Sequence, residues 1–171
     1  MAIVGLSDIW TQEDDAWGYY DDLGITWLRA EFHWYLIETS DGVYDWTAYD
    51  EIVSRAESRG INLLGLVNHP PAWAQDASFN DHVESFAAAL AARYGNRVAA
   101  WEVFNEPNLP GFGWPFDEGS TAAQAAGYAA AVLAFSAGYT ATGTVVIGSA
   151  SLDGYPVEAF IVAVLGAISA S

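Results

Sequence analysis

The chain has 171 residues, 53% of them hydrophobic and 15% aromatic. That is enough for one globular domain with a core and too apolar for a disordered chain. Five basic residues against 22 acidic ones give a net charge of -17, a surface that repels nucleic acid and anionic membranes and disfavours an acidic polymer as substrate. With no cysteine, disulfides and thiolate metal sites are excluded and the compartment stays open.

The first apolar run is AIVGL. TQEDDAWGYYDDL then reads as a helix closed by Gly24, and ITWLRAEF as a strand. After a turn-like SDG, WTAYDEIVSRAESRG places Tyr49, Ile52, Val53 and Ala56 at helical spacing and closes on Gly60. INLLGLV is the continuous apolar run expected of a strand buried on both faces. HPPAW is a loop, because its prolines cannot continue a strand. NDHVESFAAALAARYG is expected to be a helix capped near Asn80 or Asp81, with Val83, Phe86, Ala87, Leu90 and Tyr94 on its core side. RVAAWEVF is the next strand and NEPNLPGFGWPFDEG a long loop. An alanine-rich helix from Thr121 to Ala137 follows, then a fifth strand, TVVIGSA, and a fifth helix, PVEAFIVAVLGA. The apolar tail from Ala159 to Ala170 is too short to span a bilayer, and the N-terminus lacks the basic and apolar regions of a signal peptide. Neither nucleic acid nor membrane is expected as a partner.

Strand and helix alternate five times with no linker, so residues 1–171 read as one domain of parallel βα units. An open doubly wound sheet and a (β/α)8 barrel compete. A nucleotide-binding sheet needs a glycine-rich turn after its first strand, and SDIWTQED is not one. Polar and aromatic residues gather instead where strands end, at Arg29 to Trp34, Asn68 to Trp73 and Asn105 to Trp114. That is where a barrel places its site. The expectation is therefore an incomplete TIM-type barrel, about five of the eight units of a fold that needs ~250 residues.

Glu106, in WEVFNEPN, ends a strand and is stopped at once by Pro107. Strand alternation would put Glu102 and Glu106 on one face. A carboxyl group at the mouth of an apolar barrel is partly desolvated, which favours the protonated, proton-donating acid. The alternative is a carboxylate that caps the loop. Arg29 shares a face with Trp27 and Glu31, where it would hold a carboxylate ionised or only order the strand. Glu102 reads as an interior carboxylate paired with an arginine. Trp34, Trp73 and Trp114 lie in loops or at strand ends, where flat rings stack on the apolar faces of sugars. His69 sits on the NHPPAW loop, in reach of a hydroxyl or holding the loop. His33, His69 and His82 do not form a metal-ligand spacing, and no phosphate-binding or Gly-x-Ser-x-Gly motif is present. No metal and no cofactor are expected.

Together these segments resemble the retaining glycoside hydrolases of the large (β/α)8 clan that holds the cellulase-like, β-xylosidase-like and β-galactosidase-like families. GVYDWTAYD matches the stretch that follows strand two in the clan, YGNRVAAWEVFNEPNLPGF looks like strand four with its Asn-Glu-Pro signature, and TVVIGSASLDG looks like strand five. Xylosidase-type and cellulase-type members are the most similar. The resemblance implies that Glu106 is the general acid/base, that Asn105 bonds the sugar 2-hydroxyl and that Arg29 orients the nucleophilic carboxylate. It implies hydrolysis with retention of a β-linked oligo- or polysaccharide, the two carboxyls about 5 Å apart. The clan's nucleophile ends strand seven, and the matching segments here stop at strand five. A fragment of a longer enzyme and a non-catalytic sugar-binding or structural half-barrel both stay open; Glu31 is a poor substitute nucleophile. An open five-stranded sheet exposes edges, so self-association, or association with a complementing half-barrel, is expected. Relatives that degrade polysaccharides are usually secreted, which leans towards an extracellular location without a signal peptide to support it.

Overall fold

A computed structural model describes residues 5–8, 14–109, 114–116, 119–141 and 145–148. Five strands, β1 (Gly5–Asp8), β2 (Trp27–His33), β5 (Asn62–Asn68), β6 (Ala100–Val103) and β7 (Val145–Gly148), form one parallel sheet in chain order. Four longer helices, α1 (Asp14–Leu23), α3 (Thr47–Arg59), α4 (Phe79–Tyr94) and α5 (Thr121–Gly138), each follow a strand and lead to the next. The expected fifth helix and the apolar tail fall outside the described residues. Among the described residues, no helix is long and apolar enough to cross a membrane.

Alternation sets the layers. On β2, Leu28, Ala30 and Phe32 are buried while Trp27, Arg29, Glu31 and His33 are half-buried on the other face. Phe32 stacks on Tyr49 of α3 at 4.9 Å and meets Trp101 of β6 edge-on at 4.9 Å, so this face is the one under the helices. The opposite face is layered by register: Ser7, Arg29, Leu64 and Ala100 line up across four strands, and Glu31, Leu66 and Glu102 form the next row. Ser7, Arg29, Glu31 and Glu102 thus share this face in two adjacent rows.

Close packing depends on two glycines. Gly65 lies under the ring of Trp101, and a methyl group there would meet that ring. Gly138 brings α5 against the Glu84 carbonyl of α4, where a methyl group would meet backbone. Helix ends follow simple chemistry. Gly60 closes α3 in the left-handed region at φ 68, its N–H donating to the carbonyls of Ala56 and Glu57. Ser120 caps α5 by accepting from the Ala123 N–H. Helix α4 starts at Phe79, just ahead of the expected caps; Asp76 accepts from the Ser78 N–H at 2.7 Å and turns the chain into it.

Between β2 and α3 the chain makes a single helical turn, α2 (Trp34–Ile37), and a small antiparallel hairpin of β3 (Glu38–Ser40) and β4 (Val43–Tyr44). The sequence reading had only a turn here. Glu38, 2% exposed, holds the hairpin: its carboxylate accepts from the Trp34 indole at 2.6 Å and the Gly42 N–H at 2.9 Å.

Candidate active site

The five strands of the main sheet run the same way, so their C-terminal ends share one rim; β2 ends there in His33 and β5 in Asn68, and Asn105 and Glu106 follow just after β6. Arg29 reaches across from β2 to β6. Its Nε donates to Glu102 Oε2 at 2.6 Å and its Nη2 to Glu102 Oε1 at 2.9 Å, a two-pronged ion pair. The same Nη2 donates to Asn105 Oδ1 at 2.8 Å. Arg29 is thereby held above its ordinary pKa, first by the hydrogen bond to Glu102, against the opposing effect of burial, with the charges of Glu102, Glu31 and Glu106 adding to it. Because the guanidinium only donates, it fixes the Asn105 amide with oxygen inward and leaves the amide N–H pair for another acceptor.

Glu106 does not sit where alternation predicts. Strand β6 ends at Val103, and Phe104 (φ 57) and Glu106 (φ 47) both turn into the left-handed region. Phe104 goes into the core, 0% exposed, against Phe79 and Trp114. The expected shared face of residues 102, 104 and 106 is therefore corrected: the chain leaves the ladder after 103 and Glu106 emerges half-buried from a strained turn. Helix α5 steadies this exit. The Tyr128 hydroxyl donates to the Val103 carbonyl at 2.7 Å, and the Gln124 amide donates to the Pro107 carbonyl.

A second group surrounds Glu31. Its Oε2 lies 2.7 Å from His33 Nε2, and Asn68 Nδ2 approaches its Oε1 at 3.4 Å. The carboxyl is held below its usual range, first by the His33 hydrogen bond, while burial opposes. His69 follows in the left-handed region at φ 53, exposed, with its ring edge-on to His33 at 4.9 Å. Although the residue as a whole is exposed, partial loss of water around its ring first, then the neighbouring His33, holds its imidazole below the ordinary histidine value. Tyr35 stacks on His33 at 5.9 Å, and its N–H donates to the His69 carbonyl at 3.2 Å.

The aromatic expectations divide. Trp73 is half-buried beside the rim, edge-on to His82 at 5.3 Å. Trp34 is 0% exposed, stacked on Phe86 at 4.8 Å and bonded to Glu38. Trp114 is 5% exposed and edge-on to Phe79, Phe104, Phe116 and Tyr128. Trp34 lies wholly within the core, which corrects its placement among substrate-binding residues; Trp114 belongs to the core as well but borders a cavity. A cavity of about 240 Å3 borders Trp114, Phe116 and Asp76, and Arg29, Asn105 and Glu106 take no part in its walls. The partners that the sequence reading missed are His33 and Asn68. Two more residues along the face of Trp27, Arg29 and Glu31 would have found His33; Asn68 needed the register of β2 against β5.

This fold is that of the TIM-barrel glycosidases. The family 39 glycoside hydrolase of Bacteroides cellulosilyticus WH2 superposes with a TM-score of 0.70 at 20% identity, over 98% of this chain and 38% of that one. The family 1 β-glucosidase of Thermotoga maritima gives 0.58 at 19% identity, over 77% of this chain and 36% of that one. The chain belongs to glycosyl hydrolase family 10, whose model matches residues 16–146. Endo-1,4-beta-xylanase C of Phanerodontia chrysosporium is 29% identical over 83 residues, 43% of this chain and 21% of the xylanase. Endo-1,4-beta-xylanase A of the same organism is 27% identical over 93 residues, 49% of this chain and 23% of the xylanase. The aligned segments thus span about a fifth of the length of these xylanases.

Proposed function

We propose that this chain supplies the acid/base half of a retaining glycoside hydrolase acting on a β-linked polysaccharide of the xylan type. The observation that carries this reading is the chain of contacts from Glu102 through Arg29 to Asn105, next to Glu106. Asn105, its oxygen occupied, offers N–H to the sugar 2-hydroxyl. Glu106 protonates the leaving oxygen, then takes a proton from the water that releases the sugar. Arg29, already charged, also faces the nucleophilic carboxylate and keeps it ionised. His69 and Trp73 hold sugar hydroxyls and a ring face.

Glu31 is not assigned as nucleophile, since His33 and Asn68 engage its oxygens. The nucleophile comes from a later strand of a completed barrel, and residues 1–171 form the first five units of that domain. The test is turnover of aryl β-xylobiosides by this chain alone and joined to a complementing C-terminal half-barrel, each with Glu106→Gln. Activity abolished by the substitution supports the reading. Activity that survives it overturns the assignment. Silence from both forms, with xylo-oligosaccharide binding retained, selects a sugar-binding module without catalysis.

A further inference from the structure

We propose that Glu31, His33 and His69 form a binding site for a divalent transition-metal ion, with zinc the ion its donors suit best. The three offer one carboxylate oxygen and two imidazole nitrogens, and these atoms all lie within 4.8 Å of one another. Donors bound at ordinary zinc distances sit about 3.3 Å apart around a shared ion. The approach needed is a small side-chain adjustment at a half-buried glutamate and histidine and an exposed histidine. Three protein ligands leave a fourth position for water, as in open zinc sites. One carboxylate and two imidazoles are a poor set for calcium or magnesium, which take oxygen donors.

Surrounding contacts orient the donors. Asn68 is the hinge of the arrangement: its Oδ1 accepts from the Asn105 N–H at 3.4 Å, which turns its Nδ2 towards Glu31 Oε1 (3.4 Å) and His69 Nε2 (3.5 Å). With Asn68 Nδ2 as donor, His69 Nε2 is the acceptor, and an ion bound at that nitrogen takes the place of this 3.5 Å contact. Glu31 Oε1 is the oxygen engaged by Asn68, so Oε2 is the one left for the ion. His33 Nε2 now shares a proton with that oxygen at 2.7 Å, and the metal takes the proton's place between them. Tyr35 braces both rings, stacked on His33 and tied through its backbone to His69. Charge acts against the ion from one side: Arg29 lies within the field of Glu31 and opposes a cation there.

Metal binding needs neither Glu106 nor a nucleophile, but it shares His69 with the sugar-binding role proposed above, so zinc and a sugar hydroxyl are alternative occupants of that ring. The test is calorimetric titration of the 171-residue chain with zinc chloride in a non-chelating buffer, alongside His33→Gln, His69→Gln and Glu31→Gln. His82→Gln serves as control, since His82 stands apart beside Trp73 and Asp76. Circular dichroism confirms that each variant is folded. The expected result is one zinc per chain, affinity weakened at least about tenfold by each of the three substitutions and unchanged by His82→Gln, and no displacement by magnesium. In the unsubstituted protein, zinc should shift the imidazole NMR signals of His33 and His69 and leave those of His82 in place. Absence of saturable binding, or binding that leaves the His33 and His69 signals unmoved, overturns the proposal and reduces the cluster to a hydrogen-bonded Glu–His pair beside a loop histidine.

Discussion

Glu102 holds Arg29 with both carboxylate oxygens, and Arg29 passes that constraint to Asn105. Replacing Glu102 by Gln leaves a guanidinium without its counter-charge. The expected cost is about 3 kcal/mol, the lower end for breaking a buried pair, because 26% of the Arg29 side chain is exposed. Urea unfolding of Glu102→Gln measures it. The Glu31 and His69 titrations give a second expectation. His69 folds with its pKa below the ordinary histidine value of 6.5, so its contribution is present above that pH and is lost as pH falls through the lowered folded value. Glu31 folds with its pKa below the ordinary glutamate value of 4.5, so its contribution too is present at neutral pH and lost on further acidification. Stability should therefore fall in two stages on acidification, from below 6.5 and again from below 4.5. His69→Gln should flatten the first stage and Glu31→Gln the second in urea midpoints measured against pH. The sequence showed Arg29, Asn105 and Glu106 as site candidates through their place at strand ends. It did not show that Trp34 and Trp114 are core residues, because a tryptophan in a loop can face either way and only the local backbone turn decides.

At the scale of elements, the contact between α4 and α5 rests on Gly138. Gly138→Ala drives a methyl group into the Glu84 carbonyl, and backbone cannot rotate away as a side chain can. A loss of about 1–3 kcal/mol is expected, read as a lower thermal midpoint by circular dichroism. Gly18, with open space around its Cβ position, is the matched site where Gly→Ala should not destabilise. Element order and type were legible because apolar periodicity reports them directly: Tyr49, Ile52, Val53 and Ala56 are the buried face of α3. The exit from β6 was not. Period-2 reasoning assumes that the strand continues, whereas the chain turns to positive φ at Phe104 and sends that ring into the core. The α2 turn and the β3–β4 hairpin were missed for a related reason: elements of two to four residues are too short to show a period.

Across the whole molecule, all five basic residues are arginines and all are committed to carboxylates. Arg29 pairs with Glu102, Arg55 with Glu51, Arg59 with Asp21, Arg93 with Asp50 and Arg97 with Glu57. The Arg93 pair ties the end of α4 to α3, the Arg97 pair ties the turn just after it to α3, and the net charge of -17 remains as diffuse repulsion. Contact pairs are screened less by salt than charges about 10 Å apart. Raising ionic strength should therefore stabilise the chain, seen as a higher thermal midpoint in 0.5 M sodium chloride, a concentration where the screening length is on the order of 4 Å. The barrel type and the glycosidase resemblance were legible from several motifs in the right order; the meeting of His33 with His69 was not, since it is made by strand register. The most direct measurement is the effect of Glu106→Ala on aryl β-xylobioside hydrolysis by the completed barrel, with and without azide. Loss of general acid/base help should slow turnover by about 10²–10⁴-fold, and azide, which needs no base, should restore it and yield the β-glycosyl azide. Hydrolysis at an undiminished rate without azide would contradict the assignment of Glu106.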